Sequence, residues 1–218
     1  MRTLAEFAVA AGLLTLIPGP DTLLALRTAL AQGRSQAAAA ATGTATALAG
    51  WGFAAGVGLT AALAAAPNLY AALRWAGAAY LAYLGLRAIL VGASWPATSD
   101  EPAHGSRVER SRQPASQRIM VLRGSYLRGV VTTASNPKVG VFYLSLFPQF
   151  IPAGSAVLGY SLLLTSIHVA ETLLWLIIVA VLAARLGGAL RQRSARRLAD
   201  RITGTAFLAF AARLALRS

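Results

Sequence analysis

Two short stretches of this chain join a proline-broken backbone to an ionisable side chain: Pro18-Gly19-Pro20-Asp21 and Asn136-Pro137-Lys138. Each lies inside a long apolar run. A proline has no N–H, so Pro18 and Pro20 leave the carbonyls of Leu14 and Leu16 without their helical donors, and Pro137 does the same to Thr133. Ile17 and Gly19, each preceding a proline, are pushed away from helical geometry. Freed carbonyls attract cations. A half-helix opening near Asp21 and Thr22 presents bare N–H groups and a positive dipole end, which suit a carboxylate. In lipid such a break persists only where protein or a water-filled cavity surrounds it. Membrane carriers build binding sites from interrupted helices of this kind, at corresponding places in two repeats. The predicted substrate-binding set is therefore Pro18, Gly19, Pro20, Asp21, Asn136, Pro137 and Lys138, with Asp21 and Lys138 expected to pair across the two breaks and offer opposite charges to a zwitterion.

Four ionisable residues fall near the middle of apolar runs: Asp21, Lys138, His168 and Glu171. A charge at the bilayer centre costs roughly 2.5–3.5 kcal/mol on insertion scales, so each is expected to face a partner or a cavity. Ser161, Thr165, His168, Thr172 and Trp175 recur at spacings of four and three and mark one inward polar face of a helix. Glu171 flanks that face, three residues from His168. Proton coupling is accordingly assigned to Asp21, Glu171 and His168. Trp51 sits mid-run rather than at an interface and its indole N–H needs an acceptor, so it is added to the pocket lining. Gly52 and Gly56, with Gly43 and Gly50 nearby, form a small-residue pattern read as helix packing.

The elements that must position these residues are helices in a bilayer. Of 218 residues, 56% are hydrophobic and 12% charged, and mean hydropathy is +0.59, too apolar for a soluble domain of this size. Six runs approach the length of about 20 residues that crosses a bilayer: Phe7 to Ala31, Ala37 to Ala66, Leu69 to Val91, Gly129 to Phe150, Ala156 to Ala184 and Ile202 to Leu216. The chain carries 20 basic and 7 acidic residues, for a net charge of +13. Its arginines cluster between the apolar runs, which the positive-inside rule explains without invoking nucleic acid. Arg107, Arg110, Arg112, Arg118 and Arg123 place a polar loop over 92–125 in the cytoplasm. Arg27, Arg34 and the arginines from Arg185 to Arg201 face the same side, so both termini lie outside. The expected fold is an all-α polytopic membrane protein with six transmembrane helices. It is read as a 3+3 inverted repeat with proline-broken helices 1 and 4: a first three-helix repeat over 1–91, the flexible cytoplasmic loop 92–125 and a second repeat over 126–218. A single offset lays Pro20 on Pro137, Asp21 on Lys138 and Thr15 on Thr132.

Several function classes fall away. With no Cys, a disulfide framework, a dithiol carrier and a thiolate metal pump are excluded. No phosphate-binding loop, HExxH or GxSxG occurs, so neither ATP drive nor hydrolysis is indicated. No catalytic residue, metal site or cofactor is assigned. A small-ion or metal exporter of the same architecture and a membrane-embedded enzyme are the competing readings. The first is disfavoured by missing Cys and sparse His, the second because His168 has no second His or clustered carboxylates beside it.

Pro18 to Asp21, the stretch Trp75-Ala-Gly-Ala-Ala-Tyr-Leu-Ala-Tyr-Leu-Gly-Leu-Arg87, Asn136-Pro137-Lys138 and Phe147-Pro-Gln-Phe150 follow one another in an order and spacing that resembles the LysE/RhtB superfamily of bacterial amino-acid exporters. The resemblance spans nearly the whole chain. It implies a six-span, multi-pass protein of the bacterial inner membrane that exports amino acids or their derivatives by proton antiport, with a homodimer as an option. It also implies that the two proline motifs line the path. The partners expected are then a small neutral amino acid, a proton and the lipid bilayer.

Overall fold

The computed structural model describes residues 2–17, 19–65, 114–152 and 154–186, with single positions between 75 and 90 and between 205 and 212. The predicted third and sixth spans, Pro18 and most of the loop lie outside these residues. All regular structure among them is helical.

Helix α1 (Arg2–Leu16) ends one residue before the first proline break, its last turn closed by the Ile17 N–H on the Leu13 carbonyl at 3.2 Å. Gly19, in extended conformation, caps α2 (Pro20–Ala31). Pro20 stands in the first turn, where its missing N–H costs nothing. Gly33, at φ 94°, adopts a left-handed geometry open to glycine and turns the chain into α3 (Arg34–Ala65). Helix α4 (Ala115–Ala134) begins inside the stretch 92–125 read from sequence as loop, so the end of that polar segment is helical. Nothing in the amphipathic pattern marks that start, and the residues from 115 to 121 are all exposed.

The predicted fourth span is assembled from pieces. Helix α4 stops at Ala134. Asn136 then caps the short α5 (Pro137–Val141), its side-chain oxygen accepting the Lys138 N–H at 3.0 Å. A π-helical turn over Phe142–Leu146 and a 3₁₀ turn over Phe147–Phe150 complete the segment, and α6 (Val157–Leu186) follows.

Helix α3 runs between α4 and α6, and its glycines make that possible. A Cβ on Gly43 would overlap the Tyr126 carbonyl of α4, and one on Gly129 of α4 would overlap the Ala40 carbonyl of α3. Toward α6, a Cβ on Gly52 would strike the Thr165 side chain, and one on Gly56 would stand 2.9 Å from the Ser161 Cβ. Gly50 meets nothing. The small-residue pattern thus serves packing within the chain. The main core is aromatic: Phe7 of α1 is fully buried against Phe147 and Phe150 at ring-centroid distances of 5.7 and 5.4 Å, both edge-on.

Helix α6 turns a polar stripe inward and carries large apolar side chains on its outer face. Ser161, Thr165, His168 and Thr172 of α6 are buried, whereas Leu162, Leu163, Leu174, Ile177 and Leu182 on the same helix are exposed. That is the distribution expected when lipid is the solvent. Among the described residues, the stretch Val157–Ala183 is by itself long and apolar enough to cross a membrane, and α1 with α2 passes the same test as one bent pair.

Candidate transport site

The ends of the two helix breaks meet, and each satisfies the other. Asp21, in the first turn of α2, is nearly buried and accepts two hydrogen bonds from the far side: the Thr133 hydroxyl on Oδ1 at 2.8 Å and the Asn136 side-chain amide on Oδ2 at 2.9 Å. Thr44 of α3 lies 3.1 Å from the same Thr133 oxygen, tying α3 to the cluster. In the opposite direction, Lys138 Nζ donates to the Leu14 and Ile17 carbonyls, both at 3.1 Å. Leu14 is the carbonyl that Pro18 strips of its helical donor. The lysine ammonium replaces it with a charge-assisted bond.

This arrangement corrects one expectation. Asp21 and Lys138 do not form a direct ion pair; each carries its charge to the other's helix break, and the four bonds together form a crossed clasp. The carboxylate has two donors and the ammonium two acceptors, which meets the requirement for desolvated charges more fully than a bare pair.

Beside the clasp is a narrow cleft of about 20 Å³, with room for roughly one water molecule. Thr15, Asp21, Thr22, Lys138, His168 and Thr172 give it a polar wall, and Leu14, Leu48, Val139 and Leu176 an apolar one. Trp175 also lines it and donates its indole N–H to the Thr22 hydroxyl at 3.2 Å. The Thr15 and Thr172 hydroxyls stand 3.4 Å apart across the α1–α6 boundary.

The predicted residues therefore separate into groups. Asp21, Lys138 and His168 reach the cleft, and Asn136 touches it through Asp21. Gly19 lies beside the lysine: a Cβ there would stand 3.2 Å from Nζ. Pro20 and Pro137 act through the backbone, as first-turn residues of α2 and α5. Trp51 is set behind the cleft rather than in its wall, stacked on Tyr143 at 6.4 Å and close to Gly140. His168 Nδ1 is 3.1 Å from the buried Tyr143 hydroxyl. Glu171 points away from the cleft toward Gly12 of α1, and its Oε2 is buried with no hydrogen-bond partner. Sequence reasoning did not find Thr44, nor the roles of Thr133 and Tyr143. A hydroxyl one turn before an Asn-Pro break was the available signal for Thr133; for Thr44, in an Ala- and Thr-rich helix, there was none.

Exposed leucines and isoleucines around a polar cleft are consistent with a helical membrane protein. The chain belongs to the LysE type translocator family, whose sequence profile matches residues 13–218. It is a transporter, and the resemblance read from the motifs holds. It is 31% identical over 216 residues to a protein named leucine efflux protein in Enterobacter sp. strain 638, covering 96% of this chain and 93% of that one. A leucine efflux protein of Salmonella choleraesuis is 26% identical, covering 96% and 92%. The membrane protein YrhP of Bacillus subtilis is 24% identical, covering 96% and 97%. No solved structure matches the chain.

Proposed function

We propose that this chain is a secondary exporter of small neutral amino acids, working in the bacterial inner membrane by proton antiport and alternating access about the two helix breaks. The observation that carries the reading is the crossed clasp: a carboxylate and an ammonium, Asp21 and Lys138, both line the cleft beside it. Leu14, Leu48, Val139 and Leu176 on its apolar side suit an aliphatic side chain. The efflux names of the relatives agree in class. Among the described residues Asp21 is the only carboxylate lining the cleft, and it already has two donors. A second cationic group on a basic amino acid would find no counter-charge there, which favours a neutral substrate. The cleft is far too small for an amino acid, so this is a closed conformation of the cycle.

The two breaks are the hinge regions of a 3+3 inverted repeat, with the polar segment 92–125, whose last residues open α4, on the cytoplasmic side. Glu171, with an unpartnered buried oxygen, is the better seat for the coupling proton than Asp21, whose oxygens are both occupied. His168, three residues from Glu171 on α6, lines the cleft and is held by Tyr143, and it is the second proton-carrying group of this reading. The test is amino-acid uptake into inside-out vesicles with and without a proton gradient. Wild type is expected to take up a neutral aliphatic amino acid and to lose gradient dependence in Glu171→Gln. Equal flux of no member of a broad amino-acid panel above empty vesicles would refute export; unchanged gradient dependence in Glu171→Gln would refute the proton assignment alone.

A further inference from the structure

Bare carbonyls at the C-terminal end of a helix form a seat for a cation, and in this chain a side chain takes that seat. Leu14 and Ile17 lie at the end of α1, where the helix carries partial negative charge. Lys138 Nζ donates to both of their carbonyls at 3.1 Å. Carriers with interrupted helices use unwound carbonyls and half-helix C-termini of this kind to coordinate the coupling Na+ or proton. We propose that Lys138 is a tethered cation that fills a monovalent-cation site at the α1 break, so that the carrier closes this break without any alkali ion. The inference rests on the export reading and narrows its coupling ion.

Three observations support it. First, the ammonium is aimed at the carbonyls and not at the carboxylate, because Asp21 takes both of its donors from Thr133 and Asn136. Second, the chain leaves room for the cation: a Cβ on Gly19 would stand 3.2 Å from Lys138 Nζ and 3.5 Å from Cε. Third, Lys138 and Leu14 both line the cleft, so truncating the lysine opens the seat to a small cation from that side.

Tethering changes what the carrier can exchange. A bound Na+ leaves with each turnover and ties transport to its own gradient, whereas an ammonium held on a side chain satisfies the same two carbonyls and goes nowhere. The exchanged ion must then be carried by other groups, which agrees with placing the coupling proton on Glu171 and His168. The charge also matters locally. Two carbonyls without donors are unfavourable inside a membrane, and an ammonium meets both with charge-assisted bonds.

Chemical rescue tests the proposal, because Lys138→Ala deletes the outline of n-propylammonium. Wild type is expected to show the same stability in SDS titration, and the same amino-acid uptake into inside-out vesicles, when Na+ and K+ are replaced by N-methylglucammonium. Lys138→Ala is expected to unfold more readily and to lose about tenfold or more of the uptake, from two carbonyls left unpaired. n-Propylammonium at about ten times its dissociation constant should lower the unfolding constant of this variant about tenfold and restore uptake. Tetramethylammonium, which has the charge but no N–H, and n-propanol, which has the shape but no charge, should do neither. Lys138→Met keeps the bulk and loses the charge, and it should be impaired and unresponsive to the amine. Stimulation of wild type by Na+ or K+ overturns the proposal. So does wild-type behaviour of Lys138→Ala or Lys138→Met without amine, a folded Lys138→Ala that n-propylammonium does not stabilise, or equal rescue by n-propanol. Should Lys138→Ala fail to fold, the wild-type comparison and Lys138→Met decide. The SDS readout needs no transport, so a wild type that moves no amino acid refutes the export reading while the stability shifts still judge the cation seat.

Discussion

Gly43→Ala and Gly129→Ala should each destabilise the fold, and together they should cost much less than their sum. The contact is reciprocal: Gly43 of α3 faces the Tyr126 backbone of α4, and Gly129 of α4 faces the Ala40 backbone of α3. A Cβ on Gly43 would also lie 2.9 Å from the Tyr126 carbonyl carbon and 3.0 Å from the Val130 nitrogen, and one on Gly129 would meet Ala40 and Thr44 in the same way. Backbone cannot swing aside like a side chain, and a carbon needs about 3.3 Å from a carbonyl oxygen, so the helices must part by roughly 1 Å. Overpacking of this kind costs about 1–3 kcal/mol. Separation also stretches the 3.1 Å Thr44–Thr133 contact beyond hydrogen-bond range, adding about 0.5–1.5 kcal/mol. Each single variant should thus lose about 2–4 kcal/mol. Once the helices have separated for one Cβ, the second enters space already opened, so the double variant should lose only slightly more than the worse single one. The assay is reversible SDS titration in mixed micelles, followed by Trp fluorescence. Additive losses, or singles within about 0.5 kcal/mol of wild type, would show that α3 and α4 do not touch through these two glycines.

Two further outcomes follow from single contacts. Gly52→Ala places a methyl into the Thr165 side chain rather than into backbone; the loss should be about 1–3 kcal/mol by overpacking and should be largely restored by Thr165→Ala in the same chain, which SDS titration of the three variants would measure. Tyr143→Phe removes the hydroxyl 3.1 Å from His168 Nδ1 and leaves the Trp51 stacking in place; a loss of about 1–3 kcal/mol is expected from the unpaired imidazole nitrogen, and a stability equal to wild type would mean that His168 finds its partner elsewhere.

The membrane class and the helical architecture were legible because each follows from strong local chemistry. Proline cannot donate a hydrogen bond, and a long apolar run admits few soluble alternatives. The inward stripe of α6 was legible for a related reason: Ser161, Thr165, His168 and Thr172 keep helical spacing, and all four are buried. The limits of the reading are equally physical. The first turns of α4 are polar and exposed, so no buried face marks its start, and the helix runs about ten residues into what reads as loop. The π-helical turn over Phe142–Leu146 leaves no mark in composition, yet it orients Tyr143 toward His168. Trp51 satisfied every criterion for a pocket residue except one that spacing cannot supply, which is that Gly140 and Tyr143 stand beside it.

Most instructive is the pair that sequence placed together with the wrong partners. Opposite charges at matching breaks invite a direct ion pair, because the argument from sequence counts charges and ignores the backbone groups that each proline has left bare. Those groups decide the geometry. A carbonyl without a donor inside a membrane needs a cation or a polar hydrogen as much as a carboxylate needs one, and Lys138 is the cation within reach of Leu14 and Ile17. Once Lys138 is engaged there, Asp21 must find donors of its own, and the break at Asn136 supplies them. Neither interruption is satisfied without the other. The ends of α1 and α2 are thus fastened to those of α4 and α5 by four hydrogen bonds.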